Sequence, residues 1–163
     1  KIPFVEQDMR KLALHRPQDA IICACDGVNY LDSLKAAEEF FEAANAALKV
    51  GGLLLFDISS QYKLENILGC NTFAEDEQGG AYIWKNNYDP KSRLIEMNLT
   101  FFERQGELYR RFTERHIQRA HGVDELLSAL NRAGFDAEAY DFETMDPVKP
   151  DSERVQFSGR KRR

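Results

Sequence analysis

No glycine-rich loop precedes the apolar runs of this chain, although 10 glycines are present. A dinucleotide-binding oxidoreductase would show G-x-G-x-x-G between its first strand and first helix, so that class is disfavoured. No run approaches the ~20 apolar residues that span a bilayer, and no signal-peptide pattern is visible. Cysteine is scarce: Cys23, Cys25 and Cys70 are an odd number of thiols, and His15, His116 and His121 do not complete a metal-ligand spacing with them. That excludes a disulfide framework and leads us to expect reduced thiols, a cytoplasmic setting and no metal. Positive charge is also in deficit. With 22 Lys+Arg against 27 Asp+Glu the net charge is -5, which argues against general nucleic-acid binding, where affinity comes largely from phosphate neutralisation. The basic tail from Gly159 to Arg163 reads as a solvated chain end.

What is present suffices for one domain with its own core. The 163 residues are 43% hydrophobic and 30% charged, the balance of a globular chain. Residues 20–25 are a continuous apolar run bounded by Asp19 and by Asp26-Gly27. They predict a strand buried on both faces, with Cys23 and Cys25 packed on one side. From Leu34 to Leu48 apolar residues recur at three- and four-residue steps, the pattern of an amphipathic helix. Asp32 or Ser33 would cap it, and Gly51-Gly52 would stop it. Residues 53–56 follow as a second buried strand ending at Asp57. Two apolar strands joined by a helix are the unit of a parallel sheet, and Asp57 falls where such sheets open to a ligand. Residues 2–5 predict a short strand running into Glu6-Gln7-Asp8-Met9. Residues 61–68 predict a short helix closed by Gly69.

The middle of the chain changes period. Residues 81–88, 93–104 and 107–119 are β-rich, separated by the turn residues Asp89-Pro90-Lys91-Ser92 and Gln105-Gly106. Ile95, Met97, Leu99 and Phe101 alternate with Glu96, Asn98 and Thr100, which predicts an antiparallel meander with one covered face. We expect it as an insertion over residues 81–119 in a single domain, 1–163, packed beside the carboxyl ends of the two core strands. Arg110, Arg111, Arg115 and Arg119 mark its last strand, either as a solvated face or as a contact for an anionic acceptor. A helix over residues 124–132, stopped by Gly134, and strands over 137–142 and 155–159 would close a mostly parallel sheet.

Four stretches carry a resemblance. FVEQDMRKL from Phe4, ACDGVNYL from Ala24, ALKVGGLLLFDI from Ala47 and HGVDELLSALNRAGF from His121 resemble successive motifs of the class I S-adenosylmethionine-dependent methyltransferases. Val50 stands where that family usually has proline, and the meander is similar to that of a small bacterial subgroup. The resemblance implies an α/β, Rossmann-like methyltransferase sheet, truncated at the N-terminus by loss of the glycine-rich unit, with the meander inserted and with residues 2–5, parted from residues 20–25 by the missing strands, unable to pair normally within this chain. By the same resemblance Asp8 would bond the adenine amine of S-adenosyl-L-methionine and Met9 would pack on its ring. Cys25 and Asp26 would border its methionine half, and Asn29 and Tyr30 would sit near the methyl group. Asp57, at the strand end, and Tyr62, an amphipathic aromatic, are further candidates for the substrate side.

The implied function is methyl transfer to a small-molecule acceptor by a fold of which this chain is the C-terminal part. Such chemistry mainly needs the acceptor aligned with the methyl carbon, and a base only where the acceptor is protonated. No catalytic residue is assigned; Tyr30, Tyr62, His116 and His121 are the candidate bases. A small-molecule acceptor is the expected partner and self-association is an open option, with neither membrane nor nucleic acid expected. The alternative is a degenerate Rossmann-like module with a role in assembly or binding and no catalysis.

Overall fold

The computed structural model describes residues 2–163. Their strands form two four-stranded sheets. The first is assembled from both ends of the chain: β1 (Gln18–Cys23), β2 (Leu48–Ser59), β7 (Phe135–Asp141) and β8 (Arg154–Lys161), in the order β1-β2-β8-β7. β1 and β2 are parallel, and β8 is antiparallel to both of its neighbours. Three strands therefore run one way with β8 reversed among them. The expected mostly parallel sheet holds in direction but has one parallel pairing. The loop from β7 to β8 contains no helix to carry the chain across the sheet, so β8 returns antiparallel.

Helix α1 (Leu34–Ala47) is the crossover between β1 and β2. Ser33, not Asp32, caps it: its Oγ accepts the Ala36 N–H at 3.1 Å. The helix buries Ala36, Ala37, Phe40, Phe41, Ala44 and Ala47, the stripe that its periodicity predicts. Helix α2 (Val123–Arg132) packs against α1 and buries Leu126, Ala129 and Leu130. The core between helices and sheet is led by aromatics. Phe41 lies 5.4 Å from Phe56, and Phe56 stacks on its cross-strand partner Phe157 at 4.7 Å with rings nearly parallel. Such pairs add about 0.5–1.5 kcal/mol beyond the area they bury.

Two expectations for this layer need correction. Gly51 and Gly52 do not stop the helix. β2 begins at Leu48, directly after it, and the glycines form an irregularity inside the strand, where β1–β2 pairing jumps from Gln18–Leu48 to Ala20–Leu53. Gly51 takes a φ of 78°, and a Cβ on Gly52 would stand 2.9 Å from the Lys49 carbonyl. β1 is an edge strand, not one buried on both faces: Ile21 and Cys23 pack inward while Ile22 is 71% exposed. Cys25 lies beyond the strand and is exposed, so the two thiols do not share a buried face. Residues 2–5 are left unpaired, as expected: they form no strand, and Ile2, Phe4 and Val5 are exposed. Among the described residues β1 pairs only with β2, so no neighbour holds them.

The second sheet is an antiparallel meander of β3 (Thr72–Glu77), β4 (Gly80–Asp89), β5 (Leu94–Gln105) and β6 (Leu108–Arg119). It has one strand more than the three expected and starts at Thr72. The turn before β5 is tied by Asp89, whose carboxylate accepts from the Ser92 hydroxyl at 2.6 Å and the Lys91 N–H at 3.0 Å. Ile95 and Met97 are buried, whereas Leu99 and Phe101 are only partly so. Their cover is the short helix Lys63–Leu68, through Leu64 and Leu68, rather than the core strands themselves. That helix ends, as expected, at Gly69. Farther out, Phe101 stacks on Phe112 at 5.0 Å.

Candidate functional site

Past the end of β1 the chain makes a tight turn in which two consecutive non-glycine residues, Cys25 (φ 60°) and Asp26 (φ 50°), are left-handed. Each such residue costs on the order of 1–3 kcal/mol and persists only where its surroundings over-determine it. The determinant here is Asp57. Its Oδ1 accepts the Cys25 N–H at 2.9 Å and its Oδ2 the Asp26 N–H at 3.1 Å. Asp57 is 4% exposed and is charge-compensated by Arg154, whose Nη1 stands 3.2 Å from Oδ2. The other arm of Arg154 reaches Asp26 Oδ1 at 3.3 Å, and Gln118 donates to Asp26 Oδ2 at 2.6 Å. A buried carboxylate on β2 thus shapes the turn after β1, and groups from β8 and β6 close around it. Nearby, burial and the negative charge of Asp57 push the Cys23 thiol up to about 11, so it stays protonated and inert.

The turn leads into a 3-10 helical turn, Gly27–Tyr30. Asn29 within it is fully buried, and its side-chain amide is spent on backbone. Nδ2 donates to the carbonyls of Ser59 (3.0 Å) and Arg119 (2.9 Å), and Oδ1 accepts the Ser59 N–H at 2.9 Å. It thereby fastens the end of β2 to the end of β6. Tyr30, next in sequence, turns outward. Its hydroxyl lies 3.0 Å from His116 Nδ1, and His116 Nε2 lies 3.3 Å from Glu114 Oε2. Burial raises the Tyr30 phenol above its ordinary range, so it is a neutral hydroxyl at physiological pH.

Cys25, Asp26, Asn29, Tyr30 and Asp57 therefore form one constellation at the carboxyl ends of β1 and β2. Three expected residues lie outside it. Asp8 caps the helical turn Met9–Lys11, and its carboxylate is engaged by Arg10 through the backbone N–H at 3.0 Å and the guanidinium at 2.7 Å, which lowers its pKa to about 2. Met9 packs against the main core, and its turn lies on α1. Tyr62 lines a separate cavity of about 360 Å³ with His121, Lys149 and Ser152. Of the candidate bases, His121 is fully buried with Nε2 on the Leu31 carbonyl at 2.9 Å, and burial lowers its pKa to about 4. Arg154, Gln118 and Glu114 belong to the site although no motif marked them. Gln118 and Arg154 reach Asp26 from 92 and 128 positions away in sequence, Glu114 comes from the same strand as Gln118, and no local pattern encodes that.

No family model matches the chain. YqeM of Bacillus subtilis (strain 168), which carries a provisional methyltransferase designation, is 34% identical over 163 residues, 98% of this chain and 66% of its own length. A solved S-adenosylmethionine-dependent methyltransferase from Clostridium acetobutylicum ATCC 824 superposes with a TM-score of 0.90 at 32% identity, over 96% of this chain and 63% of that one. CalS10 of Micromonospora echinaspora, an amino pentose methyltransferase solved with S-adenosylmethionine bound, shares the fold, with a TM-score of 0.73 at 19% identity over 94% of this chain and 63% of its own. This chain spans just under two thirds of the length of such relatives, at 63 to 66%. In sequence, at 32 to 34% identity, and in fold the chain is thus similar to S-adenosylmethionine-dependent methyltransferases, consistent with class I of that family.

Proposed function

We propose that the protein transfers a methyl group from S-adenosylmethionine to a small polar acceptor, bound between the Gly27–Tyr30 turn and β6. The observation that carries this is the strained Cys25–Asp26 turn pinned by buried Asp57 at the carboxyl ends of two parallel strands. Open α/β sheets bind their ligands there, and strain of this kind concentrates at functional sites. The donor set suits the cofactor. S-adenosylmethionine carries an adenine amine, an ammonium group and a sulfonium cation, and the chain offers the carboxylates of Asp8 and Asp26. Asp8 would take the adenine amine by exchanging it for part of its Arg10 contact, with Met9 against the ring. Cys25 and Asp26 would border the methionine end.

On the acceptor side Tyr30 is the residue that presents a free polar edge. Asn29 and Asp57 act from behind it by fixing the turn. Tyr62 belongs to the neighbouring cavity and reaches the acceptor only if that cavity joins the cleft. The polar wall of Glu114, His116 and Gln118 on β6 favours a small hydroxylated or aminated molecule, the kind of acceptor named for CalS10. The cytoplasmic setting, based on three unpaired thiols, belongs to the same proposal. Calorimetry on the full-length protein tests it. S-adenosylmethionine should bind, and Asp8→Ala should weaken binding by roughly tenfold, as for the loss of one hydrogen bond to a charged group. Unchanged affinity in Asp8→Ala would remove that residue from the site, and absence of binding would remove the function.

A further inference from the structure

Tyr30 is 49% exposed, yet its hydroxyl is committed to His116. Glu114 and His116 lie two apart on β6 and so share one face, opposite a tyrosine held by a different element. The hydrogen-bond direction follows from chemistry. The Glu114 carboxylate can only accept, so the facing His116 Nε2 carries the hydrogen. Nδ1 is then the acceptor, and the Tyr30 hydroxyl donates to it. The phenol oxygen keeps its lone pairs for a third partner on its exposed side. A base oriented by a carboxylate, in contact with a hydroxyl that faces the ligand, is the logic of an activated triad with a phenol in front. The other groups of the site are engaged elsewhere: Asn29 with backbone, Asp57 with the turn, and Asp26 with Gln118 and Arg154.

We propose that Tyr30, His116 and Glu114 form a proton relay that takes up the proton shed by the methyl acceptor, so that the acceptor is a protonated nucleophile, an ammonium or a hydroxyl, seated on Tyr30. This rests on the function proposed above. S-adenosylmethionine, when bound, supplies a methyl group whose bonding electron pair stays with sulfur. The acceptor heteroatom makes its new bond with a lone pair: an ammonium has none until it gives up a proton, and a hydroxyl gives up its proton as the bond forms. Tyr30 Oη takes that proton while passing its own to His116 Nδ1. The resulting imidazolium stands against the Glu114 carboxylate, and the His116 side chain, 33% exposed, returns the proton to water. The relay works through the neutral phenol, which fits the raised pKa of Tyr30 and the nearby negative charges of Asp26 and Glu114. Arg154, paired to Asp26, is the balancing cation of this cluster.

The test compares two ligands on the full-length protein by calorimetry in buffers of different ionisation enthalpy between about pH 6 and 9. S-adenosylhomocysteine has no group at the methyl position, whereas sinefungin places an ionisable amine there. In the unmodified protein the protons exchanged on binding should differ between the two ligands, and that difference should titrate with pH. In Tyr30→Phe and in His116→Gln the titration should vanish, while S-adenosylhomocysteine affinity changes less than about threefold. Glu114→Gln, which keeps an acceptor but removes the charge, should shift it to lower pH. A tie serving structure alone would lower the melting temperature and leave the proton count as it was. The same titration in the unmodified protein and both variants would overturn the relay. Failure of S-adenosylhomocysteine to bind the unmodified protein would instead overturn the function on which the relay rests. Should Tyr30→Phe fail to fold, the two β6 variants carry the same comparison.

Discussion

The carboxylate of Asp57 accepts the backbone N–H of Cys25 at 2.9 Å across 32 positions of sequence. With its second oxygen on Asp26, it makes a left-handed pair of residues the stable form of the turn. Asp57→Ala would leave two N–H groups without partners and Arg154 with one carboxylate instead of two. We expect a loss of about 2–5 kcal/mol of unfolding free energy. Asp57→Asn keeps one acceptor and should cost less. Urea denaturation of both variants checks this, and equal, near-zero losses would show that the turn holds itself.

Asn29→Leu should uncouple the meander from the core. It strips three buried backbone groups of their partners, at about 2–4 kcal/mol, with little change in volume. Hydrogen exchange should quicken at the end of β6, around Ile117–Arg119, more than at the β1–β2 pairing. Uniform quickening would mean that Asn29 stabilises the whole fold rather than the junction.

The face of β5 gives a paired test. Met97 is 6% exposed and packed with Leu64, Leu68 and Ile95, so Met97→Asp buries an unpaired charge and should cost several kcal/mol, about 3 or more. Asn98 is exposed on the other face, and Asn98→Asp should be mild, under about 0.5 kcal/mol. Thermal melting distinguishes them, and a neutral Met97→Asp would reverse the face assignment.

His121 predicts a pH dependence of stability. It is held neutral in the fold, with a pKa lowered from 6.5 to about 4, chiefly by burial. The unfolded chain therefore binds the proton first. The stabilising contribution is fully present above pH 6.5 and is lost as the pH falls towards 4, for a total on the order of 3 kcal/mol. Chemical denaturation at pH 7 and pH 5 should show the decline, and His121→Gln should flatten it. A decline of the same size in His121→Gln would assign it to other groups.

Sequence patterns revealed what is repeated along the chain and missed what is closed across it. The stripe from Ala36 to Ala47 and the alternation at Ile95 and Met97 are periodic, so α1 and β5 were legible. Asp57 was legible as an acid after a buried run, but its task was not, because Arg154 and the turn it serves lie far off in sequence. β3 escaped notice since TFAEDE is almost wholly exposed and carries no apolar alternation. The Gly51-Gly52 pair misled because glycine suits a helix stop and a strand irregularity equally well. For Asp8, the pattern marked the acid but not its partner in the fold, the near neighbour Arg10.

Glu114, His116 and Gln118 share one face because they are alternate residues of one strand, and Arg119, held by Asn29, fixes where that strand ends. Removing Gln118, with Arg119 fixed, would exchange odd positions for even ones and bring Ile117 and Arg115 to the positions now held by Gln118 and His116. Removing two would restore the same wall, one step shorter. The face that β6 turns towards Tyr30 thus depends on the strand's parity rather than its length: the outer reach of the meander is free to lengthen or shrink, while its last few residues admit change only in pairs.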